Sequence, residues 1–563
     1  MMSESPPLDR ARFLQEIHED PAFDVLNVGG GIAGVSTLRE LSLEGLRCLL
    51  VERSDLANGA SSALTRVAQG GFRYLEKGEI ALVSRAVIER NRFVAAAPHQ
   101  TRPLRVVLPS RTLFGGALTA ALRALGLASG HSLPGAVWLR GAVALYEYLG
   151  RATRALPGGG FFRRSALQSR YAGINGEYRA AAYEFEALIA SPERVAVEIA
   201  EDAVAAGSGS IALTHTRIIR VERDGVGLRD ALNGADFEVK ARVVVNAGGA
   251  GADAVARLFG VDTKLVDGVA GTHLLIRAPA LAQTLGGDLL FFEDANPARD
   301  KTRLCCLYAV GDGVLLGATE TPVADPDASR PSADEEAYLL AALRRLFPKV
   351  EVSAADIRGR LHGVRPLAAA TGDDVTGRSR DHVIRVSPST KLALPLISIA
   401  GGKWSTFRAI GADAADAALG ALNVSRLVST ETLAIGGGRG WPATASERRR
   451  LRERLSALAP IDDALSDRLI AVYGGRAERV APYLVDEAAR RTIGSTDLTI
   501  GEVRFFLREE LAINADDVVR RRTRLYIEGN ADPAVFAQIE SVLSEATAKI
   551  GEKPTVAAAS RFA

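Results

Sequence analysis

Asp24-Val25-Leu26-Asn27-Val28-Gly29-Gly30-Gly31-Ile32-Ala33-Gly34 passes from an apolar run into a glycine cluster, then into a helical stretch to Leu46, and Cys48-Leu49-Leu50-Val51-Glu52 comes next. This is strand, loop, helix, strand. Glycines 29, 31 and 34 stand at GxGxxG spacing. The first permits the tight turn, the second lets backbone approach a pyrophosphate, and the third lets helix and strand pack closely. The helix N-terminus adds N–H groups and positive potential for an anion. Glu52 closes the second strand, where its carboxylate accepts hydrogen bonds from ribose hydroxyls and repels a 2′-phosphate. The stretch therefore predicts an adenine-dinucleotide βαβ unit with Gly29, Gly31, Gly34 and Glu52 as cofactor-binding residues. Asn27 is polar where such a strand is usually apolar, and a hydrogen bond to a neighbouring strand end is expected of it.

The chain beyond Glu52 points to FAD rather than NAD. A plain NAD unit continues soon into a third parallel strand, whereas residues 54–74 form a long Gly/Ser-rich passage. The next convincing strands of this domain begin past residue 210, and Val243-Val244-Val245 runs into a second glycine turn at Asn246-Ala247-Gly248-Gly249. Leu396-Ile397-Ser398-Ile399-Ala400 enters Gly401-Gly402-Lys403 and then a helix from about Ser405 to Leu422, aiming another helix N-terminus at an anion or flavin edge. Gly248, Gly402 and Lys403 join the cofactor-binding set. The fold class is α/β: a Rossmann-like FAD-binding domain of the glutathione reductase/D-amino acid oxidase type, with an inserted antiparallel-sheet substrate domain and a C-terminal α-helical domain. An N-terminal extension covers 1–21. Split FAD-binding and substrate domains cover 22–435, with FAD segments at about 22–110, 195–260 and 360–425 and the substrate sheet mainly at 261–360 and 380–396. The Gly436–Pro442 cluster opens a helical domain to 550, and 551–563 reads as a frayed tail.

Composition narrows the classes. Of 563 residues, 47% are hydrophobic and 24% charged, and 69 Lys and Arg oppose 67 Asp and Glu, so no global field selects a nucleic acid. Three cysteines, Cys48, Cys305 and Cys306, with no CxxC pair, argue against a disulfide framework or a zinc site and fit a reducing cytosol. No signal-peptide core is present in residues 1–21, and no uncharged apolar run reaches the roughly 18 residues of a spanning helix. Cytoplasmic placement is expected.

Gly29–Gly34, Ala60-Ser61-Ser62, Gly70-Gly71-Phe72-Arg73-Tyr74-Leu75-Glu76, Gly363-Val364-Arg365-Pro366-Leu367, Gly401–Arg408 and the tail Glu509–Arg524 together resemble the FAD-dependent (aerobic, respiratory) glycerol-3-phosphate dehydrogenases over roughly residues 22–545. The resemblance implies oxidation of sn-glycerol 3-phosphate to dihydroxyacetone phosphate, with hydride passing to flavin N5 and electrons on to a quinone. Ser61 and Ser62 enter the cofactor-binding set on this ground. A phosphorylated polyol needs a cationic clamp, and Arg73, Tyr74, Arg365, Arg380 and Lys403 sit in or near glycine- or proline-marked loops where a ligand can approach. Arg365 would polarise the developing alkoxide or hold phosphate. His273, in Gly271-Thr272-His273, matches the family's active-site histidine, and an unperturbed pKa of about 6.5 suits proton transfer or hydroxyl orientation. A purely structural histidine stays open.

Four departures bear on the substrate. Gln69 stands where the family has His, Gly249-Ala250-Gly251 replaces Gly-Pro-Trp, Ser191-Pro192-Glu193-Arg194 lacks the usual acidic pair, and Gly317-Ala318-Thr319-Glu320 replaces Gly-Thr-Thr-Asp. Another polyol phosphate, such as erythritol phosphate, is therefore an alternative; an oxygen-using oxidase, which would share nearly every motif, is a second. The resemblance also implies peripheral contact with the cytoplasmic face of the inner membrane. Residues 113–149 are read either as interfacial amphipathic helices or as helix packed on the core. The sequence is silent on oligomeric state, and a homodimer is admitted.

Overall fold

The computed structural model describes residues 8–72, 79–115, 135–294, 303–369, 381–392 and 394–551. The glycine-loop stretch forms the strand Ala22–Val28 and the helix Ile32–Leu43. That strand lies inside a sheet whose order is His382–Pro388, Pro395–Gly401, Asp236–Asn246, Ala22–Val28, Cys48–Val51 and Ile211–Leu213. Neighbours run parallel except the first pair, which is antiparallel. Val243, Val244 and Val245 are almost wholly buried, as a parallel strand covered on both faces must be. The helices Ile32–Leu43, Pro192–Val204 and Phe407–Leu422 pack side by side. A Cβ at Gly411 would stand 2.8 Å from the Ser36 backbone, so close helix contact there needs glycine.

A second sheet is mainly antiparallel. Val266–Arg277 pairs with Ile357–Ala368 on one side and with Gly313–Gly317 on the other; the sheet then continues through Arg303–Val310, Asp288–Asp294, Thr101–Ser110 and Ala180–Ile189. From Ala445–Leu458 to Pro533–Gly551 the described elements are helices around their own core, which includes Leu455, Leu469, Val503, Phe506 and Ile539. Asp9 caps a helix, Arg10–Glu19, that buries Phe13 and Ile17, and Arg10 pairs with Asp230.

Three sheet assignments differ from expectation. The sequence pattern predicts segment 380–396 in the substrate sheet, yet His382–Pro388 pairs with Pro395–Gly401 at the edge of the nucleotide sheet. Thr101–Ser110, expected within the FAD segment 22–110, is an inner strand of the substrate sheet, between Asp288–Asp294 and Ala180–Ile189. Ile357–Ala368 overlaps the expected FAD segment 360–425 and belongs with Val266–Arg277. Alternation in a sequence reports a strand with two unlike faces; the sheet it joins depends on partners distant in the chain.

Candidate active site

All the parallel strands of the nucleotide sheet end on one side, and the glycine loops lie there. Gly29 has φ +114°, and a Cβ on it would sit 2.5 Å from Ala247 O. A Cβ on Gly34 would fall 1.8 Å from Gly29 O, so helix and strand meet at a distance only glycine permits. Gly31 is the N-cap of its helix and supplies no side-chain cap, and a Cβ there would meet only Ser61 Oγ, at 3.3 Å. This is an open cradle at a helix N-terminus. The Glu52 carboxylate accepts from Gly30 N–H at 2.7 Å and from Ser54 N–H at 2.9 Å, which fixes both oxygens while leaving lone pairs for ribose hydroxyls. The residues present fit an adenine dinucleotide.

Asn27 has a different partner from the one expected. Its amide donates to Gly34 O at 2.7 Å, tying the strand to the first turn of the helix from a fully buried position. Ser61 Oγ accepts from Ile32 N–H at 2.9 Å, capping the helix from a distance, whereas Ser62 Oγ donates to Gly59 O and closes its own turn. Gly248 lies in the turn after Asn246, whose side chain accepts from Gly248 N–H at 3.1 Å and donates to Ala252 O at 2.8 Å. Gly401 and Gly402 both have positive φ, and Lys403 begins the turn into Trp404–Thr406 and the helix Phe407–Leu422. Ser405 Oγ donates to Gln69 O at 3.0 Å, so the loop of Gln69-Gly70-Gly71 is held against the loop of Gly401-Gly402. The two bonded residues are 336 positions apart in the chain.

Two of the expected site residues meet across the paired strands Val266–Arg277, which carries His273, and Ile357–Ala368, which carries Arg365. His273 is opposite Leu361 on one side and Gly317 on the other. A Cβ on Gly317 would be 2.3 Å from His273 Cδ2, and a Cβ on Gly271 would be 2.5 Å from Arg365 Nη2. Residues 271 and 273 share one face of the strand, so the guanidinium of Arg365 and the imidazole of His273 lie on the same side. His273 is 1% exposed; its Nε2 is 3.0 Å from Thr65 Oγ1, and its Nδ1 has no partner among the described residues. Thr65 is four residues past Ser61, which brings this cluster to the dinucleotide loop. Burial, with the nearby positive charge of Arg365, pushes the His273 pKa down to about 3. The ordinary value expected from the sequence therefore does not apply: the imidazole is neutral because the ring has lost its water and faces a cation.

Arg365 Nη1 donates to Thr319 O at 3.4 Å and lies 3.6 Å from Glu320 Oε1. Behind this face, Glu335 accepts from the hydroxyls of Thr272 at 3.0 Å, Thr319 at 2.6 Å and Thr321 at 3.1 Å, holding together the strands that carry His273 and the Arg365 acceptor. His362 has both ring nitrogens engaged, Nδ1 with Thr272 Oγ1 and Nε2 with Ser329 Oγ, each at 2.9 Å. Arg73, Tyr74 and Arg380 lie outside the described residues. Sequence reasoning did not find Thr65 or Glu335. Neither sits in a glycine-marked motif, and their importance comes from partners far along the chain.

Comparison with known proteins bears on the family and the fold. A family model described as FAD dependent oxidoreductase matches residues 24–390, and one described as the C-terminal domain of alpha-glycerophosphate oxidase matches 428–549. The mitochondrial glycerol-3-phosphate dehydrogenase of Macaca fascicularis is 27% identical over 542 residues, covering 93% of this chain and 70% of the relative. Glycerol-3-phosphate dehydrogenase 2 of Mycobacterium bovis is 27% identical over 525 residues, covering 90% and 81%. A solved glycerol-3-phosphate dehydrogenase from Bacillus halodurans, complexed with FAD, shares the fold with a TM-score of 0.71 and 20% identity, covering 97% of this chain and 95% of that one. The resemblance drawn from the glycine loops and the tail holds, as does the expectation of FAD.

Proposed function

The chain belongs to the FAD-dependent oxidoreductase family, and from that premise we propose that it oxidises sn-glycerol 3-phosphate to dihydroxyacetone phosphate and passes the electrons to a quinone. The observation that carries this reading is the meeting of a half-buried guanidinium, Arg365, and a neutral buried imidazole, His273, on one face of two paired strands, joined through Thr65 to the segment that caps the dinucleotide loop. Oxidation of a secondary alcohol removes a hydride from carbon and a proton from oxygen, leaving the ketone. Bound FAD supplies the hydride acceptor at N5. Arg365 offers a planar fork for phosphate or for the developing alkoxide. His273 orients the hydroxyl and accepts its proton; a substrate anion on Arg365 would cancel part of the charge that now holds the ring's basicity down. Arg73, Tyr74, Arg380 and Lys403 complete the proposed substrate clamp. Gly29, Gly31, Gly34, Glu52, Ser61, Ser62, Gly248, Gly402 and Lys403 are the proposed FAD-holding set.

The quinone half of the reading is supported by the surface. Among the described residues no helix is long and apolar enough to cross a membrane. The helix Ala136–Leu149 nevertheless exposes Val137, Trp138, Leu145 and Tyr148 along one side, and the exposed Phe114 accepts a hydrogen bond from Trp138 Nε1 through its carbonyl. Such a stripe suits a peripheral, interfacial contact with a bilayer.

The test is anaerobic addition of glycerol 3-phosphate to the FAD-loaded protein while flavin absorbance is followed. Bleaching at millimolar substrate is expected, and an unbleached flavin overturns the assignment. Erythritol phosphate bleaching the flavin faster would give the reaction to that polyol. Peroxide formation without any quinone would make oxygen the acceptor.

A further inference from the structure

Glu509–Arg524 marks the family resemblance in the sequence, yet none of its residues enters the proposed reaction. In the fold it reaches the dinucleotide loop. Arg522 is fully buried and grips Asp55 with two donors, Nη1 to Oδ2 at 2.7 Å and Nη2 to Oδ1 at 2.9 Å. Arg521 adds Nε to the same carboxylate at 2.7 Å and Nη1 to Asn58 Oδ1 at 3.0 Å. The far sides of both guanidinium groups are satisfied within the helical domain: Arg522 donates to Glu510 O at 2.6 Å, and Arg521 to Asp517 Oδ1 at 2.7 Å. Both arginines sit in the π-helical turn Val518–Arg522, a departure from α geometry that brings consecutive side chains to one target.

Asp55 stands three residues past Glu52, and its neighbours Leu56 and Ala57 touch the glycine loop directly. Ala57 N–H donates to Gly30 O at 2.9 Å, and a Cβ on Gly30 would meet Leu56 Cδ2 and Glu52 Cβ, each at 2.9 Å. Two guanidinium groups on one desolvated carboxylate fix its position more tightly than a single surface pair would, because neither partner can turn to water.

We propose that Arg521 and Arg522 are positioning residues for FAD: by holding Asp55 they press segment 55–58 against Gly30, so that the C-terminal helical domain sets how tightly the dinucleotide loop keeps its cofactor. This rests on the assignment of the glycine loop as the FAD site and is independent of the substrate.

The experiment titrates full-length apoprotein with FAD by flavin fluorescence and monitors thermal unfolding of the same samples. Asp55→Asn keeps shape while removing the charge, and is expected to weaken FAD binding at least tenfold. Arg521→Lys keeps charge and loses the fork; it touches fewer of the bonds to segment 55–58, two against the three that Asp55 accepts, so a smaller loss of three- to tenfold is expected, and it serves if Asp55→Asn does not fold. Arg468→Lys is the structural control: Arg468 pairs with buried Glu502 inside the helical domain, away from the loop, and its change should lower the melting temperature without moving the FAD dissociation constant. Gly31→Val tests the premise, since it fills the cradle and should abolish FAD binding. Folded Asp55→Asn and Arg521→Lys proteins that both bind FAD within twofold of the parent, while Gly31→Val does not bind, overturn the clamp alone. FAD binding retained by Gly31→Val overturns the site assignment beneath it. A loss of FAD affinity in Arg468→Lys equal to that in Asp55→Asn would show a general stability effect and also overturn the clamp.

Discussion

Replacement of Arg365 by alanine is the sharpest perturbation of the proposed chemistry. The side chain runs from the edge strand Ile357–Ala368 over Gly271, where no Cβ blocks it, and is 30% exposed, with Thr319 O and Glu320 beside its guanidinium. Backbone pairing of Val269 with residue 365 does not depend on the side chain, so the sheet should survive. Loss of a charge-assisted hydrogen bond to a phosphate or alkoxide is worth about 2–3 kcal/mol, or roughly 30- to 150-fold in the rate of flavin bleaching at sub-saturating substrate. Arg365→Lys should recover part of this, because an ammonium keeps the charge and loses the two-donor fork. The assay is anaerobic stopped-flow reduction by glycerol 3-phosphate, with FAD content measured on the same protein after gel filtration. A bleaching rate for Arg365→Ala within threefold of the parent would refute the role, and loss of FAD in the variant would place Arg365 in the cofactor site.

Gly34→Ala should yield protein without FAD, because the new Cβ would fall 1.8 Å from Gly29 O and helix and strand must part; flavin absorbance of the purified variant checks this. His273 is held neutral in the fold with a pKa of about 3, below its value of about 6.5 in the unfolded chain. Its contribution to stability is therefore fully present above about pH 6.5 and is lost progressively as pH falls toward the folded value. The stability difference between the parent and His273→Gln, from urea unfolding at several pH values, should shrink over that window, and no imidazole resonance of His273 should titrate near neutrality. Trp138→Glu places a charge on the exposed stripe and should reduce sedimentation with anionic vesicles several-fold while leaving flavin reduction by substrate unchanged; equal sedimentation would remove the membrane reading.

The dinucleotide unit was legible because its parts are local. A strand, three glycines, a helix and an acid at the end of the next strand are set by propensity, steric freedom and spacing within about thirty residues, so Gly29 follows the first strand, Gly31 caps the helix that contains Gly34, and Glu52 follows the second strand. The glycine turn at Gly401-Gly402 was legible for the same reason. Sheet membership was not: a strand pattern such as that of His382–Pro388 or Thr101–Ser110 names no partner, and only pairing with Pro395–Gly401 or with Ala180–Ile189 decides which sheet each joins. The pKa of His273 lies beyond sequence for a related reason, since desolvation and the charge of Arg365 exist only once the strand is buried. Asn27, read from the sequence as a strand-end partner, instead donates to Gly34 O, a bond set by how the helix folds back on its strand. By itself the sequence determined the α/β class, the βαβ unit with its glycine loop, and FAD as the cofactor. Only the tertiary structure decided that Thr65 meets His273 across 208 residues and that Arg522 meets Asp55 across 467, because contacts at such separations are selected by the packing of whole elements and leave no local pattern.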